Sequence, residues 1–137
     1  VVAAVQLPDL KIEVDQNVVS QDISFLSAER LVYGFGHDRI GAWLADQWHL
    51  PEKLREALAW HHKPSQAFNY PEYAATVHLA NFMARVFEIG SGGDEGVPVL
   101  DPKALKNLGF SQKIFERVMD QMADQVLEVA ALDLSSV

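Results

Sequence analysis

The sequence contains no cysteine. Disulfide cross-links, thiolate zinc sites and a cysteine nucleophile are therefore excluded, and packing and hydrogen bonds must hold the fold. This absence fits a reducing compartment, and a cytoplasmic location is expected. Basic residues are also scarce: 11 Lys and Arg stand against 19 Asp and Glu, giving a formal net charge of -8. No cluster of Lys and Arg is present to neutralise a nucleic-acid backbone, and an acidic chain is repelled by an anionic bilayer. Neither nucleic acid nor membrane is expected as a partner. No apolar run approaches the roughly 20 residues of a membrane span. The opening Val1-Val2-Ala3-Ala4-Val5 has neither the length nor the charged flank of a signal peptide. The chain does not begin with Met, so a fragment whose natural start lies upstream is expected. The glycine-rich stretch 90–96 lacks the Lys-Ser/Thr of a phosphate loop, and no serine sits in a nucleophile elbow.

What remains is a chain of 137 residues, 49% of them hydrophobic, enough for one domain with a core. Residues 1–24 are poorly assigned: "DLKIEVDQNVV" alternates like a strand, and Pro8 interrupts a helix. From there on the pattern is helical. "SAERLVYG" offers a Ser27 cap and a stop at Gly34. "HDRIGAWLADQWHL" repeats Ile40, Trp43, Leu44 and Trp48 at helical spacing. Pro51 opens a further helix with Leu54, Ala57, Leu58 and His61 on one face, and Lys63-Pro64 ends it. The next helix, after Pro71, has an expected apolar face of Tyr73, Val77, Ala80, Ala84 and Phe87. Asp101 caps a short helix that stops at Gly109, and Ser111 caps a last one carrying Ile114, Phe115, Val118, Met122, Val126 and Val129. The spacing predicts an all-α fold, a compact multi-helix bundle with short connections, in one domain over 25–137, which the resemblance described below implies is missing its N-terminal part. Trp43, Trp48 and Trp60 are expected in core or interface packing.

Histidines carry the chemistry on offer. His37 opens one helix; His61 and His62 close the next, where the negative end of the helix dipole favours a cation. Adjacent side chains point about a hundred degrees apart, so the pair reads equally well as structural or as ligands. His49, in a turn, reads as a surface or packing residue. His78 and Asn81 lie three residues apart and share a helix face. Asn81 can orient a histidine or a water but is a poor ligand for a divalent ion. Asp38 is either half of a His-Asp metal pair or, as favoured here, a first-turn carboxylate stabilised by the helix dipole.

The stretch "YGFGHDRIGAWLADQWHLPEKLREALAWHHKP", with "YAATVHLANFMA" and "LDPKALKNLGFS" after it, resembles the C-terminal half of an HDOD domain over roughly residues 25 to 115. HDOD domains are HD-related output modules of bacterial signalling proteins. The resemblance rests on Gly36-His37, Gly41, Trp48-x-Leu50-Pro51, His61-His62 with Pro64, and Ala80-Asn81 where the family tends to have Ala-Asp. It implies an HD-like helical bundle. The wider superfamily consists of metal-dependent phosphohydrolases, and by position His37, His61 and His62 correspond to metal ligands, with Asp38, His78 and Asn81 around them. The early His-Asp helix is absent, the final carboxylate is an amide, and no "GYP" follows the histidine pair. The resemblance therefore implies a non-catalytic signalling module with no assigned catalytic residue, acting through contacts with other signalling domains or proteins or as a homodimer. The alternative is a phosphohydrolase acting on a phosphoester or nucleotide. Three histidines without a carboxylate can hold one divalent metal ion, but hardly the bridged pair of a two-metal site.

Overall fold

The computed structural model describes residues 8–134. Seven α-helices and one 3-10 turn make up the described residues, in the order α1 Pro8–Gln21, α2 Phe25–Tyr33, α3 His37–Gln47, α4 Glu52–Trp60, the turn Pro64–Gln66, α5 Pro71–Val86, α6 Pro102–Asn107 and α7 Gln112–Leu134. No strand occurs among them, and the all-α expectation holds. No described helix is long and apolar enough to cross a membrane.

The strand expected in the N-terminal segment is a helix instead. Pro8 starts α1 rather than breaking it, in the position where a missing N–H costs nothing. Leu10, Val14 and Val18 stand four residues apart, so the same apolar residues fit a helical line, and Val14 is buried on it. Lys11 and Asp15 add a salt bridge one turn apart at 2.5 Å. In α2 the cap is Ser24, whose Oγ accepts the Ser27 N–H, so Ser27 belongs to the first turn and is not the cap expected from sequence. Gly34 ends α2 as expected, in the left-handed region at φ 80°. Asp101 caps α6 by accepting the Lys103 N–H, and Ser111 Oγ accepts the Ile114 N–H at the start of α7.

Packing runs between chain neighbours: α1 on α2, α3 on α4, α4 on α5 and α5 on α6, with the 3-10 turn wedged against the last three. The core is small and made mostly of alanine. Ala28, Ala45, Ala57, Ala59, Ala74, Ala75 and Ala104 are buried, joined by Val14, Leu79 and Met83. Alanine lets helices approach closely but supplies little apolar area per residue. Trp43 and Trp48 do not pack the core: they are 60% and 65% exposed, while Trp60 is half-buried. Helical spacing identified their shared face, but the interior positions of α3 went to Asp38 and Ala45. On α5 the buried face is Ala74, Ala75, His78, Leu79 and Met83, not the expected line through Val77 and Ala80, both of which are exposed. Alanines on both sides made the apolar stripe ambiguous, and the true one includes a polar residue.

Buried carboxylates supplement this thin core. Glu56 of α4 is buried and accepts the backbone N–H groups of Phe68, Asn69 and Tyr70, fixing the chain as it enters α5. Glu56→Ala strands three amides and is expected to cost about 3 kcal/mol or more, read from urea denaturation midpoints. Glu52→Ala, which removes only an exposed bond from the Asn69 amide, should cost about 0.5 kcal/mol or less. At Asp101, burial alone would raise the carboxyl pKa, but hydrogen bonds from the Lys103 N–H and from Ser65 outweigh it and hold it below the usual value. A carboxyl lowered on folding stabilises the native state above its unfolded pKa, and that contribution is lost as pH falls through the folded one. The stability gap between wild type and Asp101→Asn should therefore narrow as pH drops from about 5 to about 3.

Candidate functional site

His37, at the first position of α3, follows Gly36, which has no side chain to cap the helix. A Cβ on residue 36 would lie 2.3 Å from Leu26 Cδ1 and 2.6 Å from Asp38 Oδ1, so a side chain there would push both of these side chains aside. The missing cap comes from α2. Glu29, 3% exposed, accepts the His37 backbone N–H at 2.8 Å with Oε2. The same oxygen lies 2.6 Å from His37 Nδ1. One carboxylate thus caps α3 and fixes the direction of the ring, leaving Nε2 pointing away.

That Nε2 lies 2.8 Å from His62 Nε2, across the gap between the start of α3 and the end of α4. The ring centroids are 4.8 Å apart for His37–His62, 5.4 Å for His37–His61 and 4.1 Å for His61–His62. His61 Nδ1 donates to the Leu58 carbonyl at 2.9 Å. One ring nitrogen from each of the three histidines falls within 4.8 Å of the others. Burial, and then the neighbouring His61 and His37 rings, push the His62 pKa down to about 3. Burial likewise lowers that of His61, against an opposing hydrogen bond to the Leu58 carbonyl. Both rings are therefore neutral near pH 7.

His78 stands behind the cluster, 2% exposed. Its Nδ1 donates to the His61 carbonyl at 2.7 Å, and its Nε2 accepts the Asp101 N–H at 3.0 Å. This neutral ring ties the end of α4 to the start of α6, holding the backbone that carries the histidine pair. Asp38 is buried and faces Arg30 of α2, with Oδ2 3.0 Å from Nη2. It acts as a first-turn carboxylate with an ion-pair partner and is not among the clustered ligand atoms. Asn81 borders the same cleft as the three histidines. His49 is exposed.

The cleft has a volume of about 520 Å³. It is lined by His37, His61 and His62, by Asn81 and Arg85 of α5, and by residues of the loop that follows, among them Asp94 and Val97. Sequence reasoning missed Glu29, Arg85 and Asp94. None of the three belongs to a recognisable motif, and Glu29 stands eight residues before His37 in a different helix.

The donor set suits one ion. Neutral imidazoles bind zinc and related metals, and a carboxylate on the far nitrogen of a ligating histidine fixes its tautomer and orientation. His37, His61 and His62 would hold the ion, supplying a Lewis-acid centre facing the cleft. As it stands, the 2.8 Å spacing between His37 Nε2 and His62 Nε2 is that of a hydrogen bond. No carboxylate oxygen joins the cluster among the described residues.

A family model for the HDOD domain matches residues 1–64. Over those residues, just under half of the chain, the protein is similar to an HDOD domain. The match indicates an HD-superfamily-related signalling output domain. The HDOD match contains Glu29, His37, His61 and His62; Asn81, Arg85 and the glycine-rich loop lie beyond it. It also corrects the extent expected from sequence. The match occupies the N-terminal part of the chain, including α1, not residues 25 to 115, and the assignment to the C-terminal half of the domain is not borne out. No curated protein and no solved structure matches the chain.

If Glu29 orients His37, Glu29→Gln should weaken cobalt(II) or zinc(II) binding to the HDOD cluster by about 10-fold to 100-fold. Competition titration with a chromophoric chelator reads this directly, and Glu52→Gln serves as the unaffected control.

Proposed function

We propose that the protein is a non-catalytic regulatory module of bacterial signal transduction, acting through contacts with other signalling domains or proteins. The observation that carries this reading is the composition of the histidine cluster: three imidazoles within 4.8 Å and no carboxylate among them. Phosphoester hydrolysis by paired metals relies on two ions about 3.5–4 Å apart that clamp the attacking and leaving oxygens. His37, His61 and His62 supply three nitrogens; of the other groups lining the cleft, Asn81 offers an amide, and the Asp94 carboxylate is paired with Arg85. Asp38, the nearest expected acid, is engaged by Arg30. The exposed indoles of Trp43 and Trp48 support a role in contacts, since aromatic residues are enriched where proteins meet.

A second reading, a metal-dependent phosphohydrolase, is favoured by one feature. The histidine cluster opens on a cleft that also contains the Arg85 guanidinium. A metal ion held by His37, His61 and His62 would supply a Lewis acid there, and Arg85, paired with Asp94, would supply positive charge toward a phosphoester.

Elemental analysis and a turnover assay separate the two. The regulatory reading expects at most one metal ion per chain, no manganese-dependent cleavage of bis(p-nitrophenyl) phosphate or cyclic dinucleotides, and near-normal folding of the His61→Ala, His62→Ala double variant. Manganese-dependent turnover that disappears in His37→Ala would establish the phosphohydrolase instead.

A further inference from the structure

Arg85 and Asp94 are the fixed charges lining the cleft, and they cancel each other. The Arg85 side chain is 13% exposed, with Nη2 2.5 Å from Asp94 Oδ1. Arg85 also donates to the Asp94 carbonyl, and to the Gly96 carbonyl from Nη2 at 2.9 Å and Nε at 3.1 Å. The second carboxylate oxygen of Asp94 accepts the Phe25 N–H, 2.5 Å away at the start of α2. One carboxylate therefore spans a guanidinium on α5 and a helix-start amide on α2, and it draws the loop between α5 and α6 against the cleft.

The glycines of this loop make the approach feasible. A Cβ on Gly92 would lie 2.6 Å from Arg85 Nη1, and one on Gly93 would lie 2.5 Å from the Phe25 ring, at φ 87°. Without side chains at these two positions, the strap lies flat on the two groups that Asp94 bridges. The same cleft is also lined by Asn81, one turn earlier on the same helix as Arg85, and by the three imidazoles.

We propose that Asp94 is an internal stand-in for an oxyanion: a phosphate-type group entering the cleft takes Arg85 and the Phe25 N–H from Asp94 and releases the 90–97 strap. Guanidinium recognises phosphate and carboxylate with the same geometry, and an amide at a helix start favours an anion. The neutral pairing keeps the cleft closed to weak anions and makes strap position depend on occupancy. The inference goes beyond the regulatory reading above and does not depend on a metal.

The test is calorimetric titration of the full chain with inorganic phosphate, at constant ionic strength and in the presence of EDTA. Asp94→Asn and Gly93→Ala both loosen the strap while sparing Arg85, and each is expected to bind phosphate about tenfold or more tightly than wild type. Adding Arg85→Gln to Asp94→Asn should abolish that gain. In wild-type protein, saturating phosphate should speed hydrogen exchange at the 90–97 amides and at Phe25, a readout that needs no variant. Unchanged affinity in both single variants, a gain that survives loss of Arg85, or exchange indifferent to phosphate would each overturn the proposal. Because metal is removed throughout, these outcomes are separate from those that test the regulatory reading.

Discussion

The arrangement of the site depends on the Glu29 carboxylate. Buried in α2, it caps α3 in place of a side chain that Gly36 cannot supply, and with the same oxygen it orients the His37 ring. The start of the helix and the direction of the imidazole are therefore one event, not two. Removing the carboxylate leaves an amide without an acceptor and a ring without an orientation, and the spacing to His62 follows from that orientation. Arg30, the next residue along α2, repeats the link by pairing with Asp38.

The same device recurs through the chain. Glu56 holds three backbone amides before α5, Asp101 accepts from Ser65 and Lys103, and Asp94 spans Arg85 and the Phe25 amide. A core made largely of alanine buries little apolar area per residue. Carboxylates that satisfy backbone donors join segments which side-chain packing alone joins weakly. This gives the acidic excess a structural use: several of the charges behind the formal -8 serve as acceptors inside the fold, not as a solvated coat. Charge-assisted bonds to backbone amides are stronger than neutral ones.

Helix boundaries from α2 onward were largely legible, because glycine stops, proline starts and side-chain caps act within a turn of where they stand. Gly34, Pro71 and Asp101 mark ends by local geometry alone. Faces were less legible. Alanine counts as weakly apolar on every side of α5, and the buried stripe passes through His78, which no hydrophobic pattern selects. Trp43 in α3 and Trp48 just past its end are large aromatic side chains at helical spacing yet lie outside, since periodicity reports a face and not what covers it. The convergence of His37 with His61 and His62 depends on the turn between α3 and α4, so spacing could not show it; the family resemblance could. Glu29 precedes His37 by eight residues in another helix, and a single acid at that distance gives no pattern. The Arg85–Asp94 pair was hidden for the opposite reason: its loop was set aside once it failed as a phosphate loop.

The hydrogen bonds fix where each ring proton resides. A carboxylate on His37 Nδ1 and carbonyls on His61 Nδ1 and His78 Nδ1 accept, so those nitrogens donate. With a single ring proton on Nδ1, His37 offers Nε2 as the acceptor for His62 Nε2. Long-range proton–nitrogen NMR of the imidazoles in metal-free protein above pH 7 measures this directly. The account predicts the Nδ1–H tautomer for His37, His61 and His78 and the Nε2–H tautomer for His62. A His37 ring bearing its proton on Nε2, or averaging between tautomers, would contradict the claim that Glu29 sets the cluster.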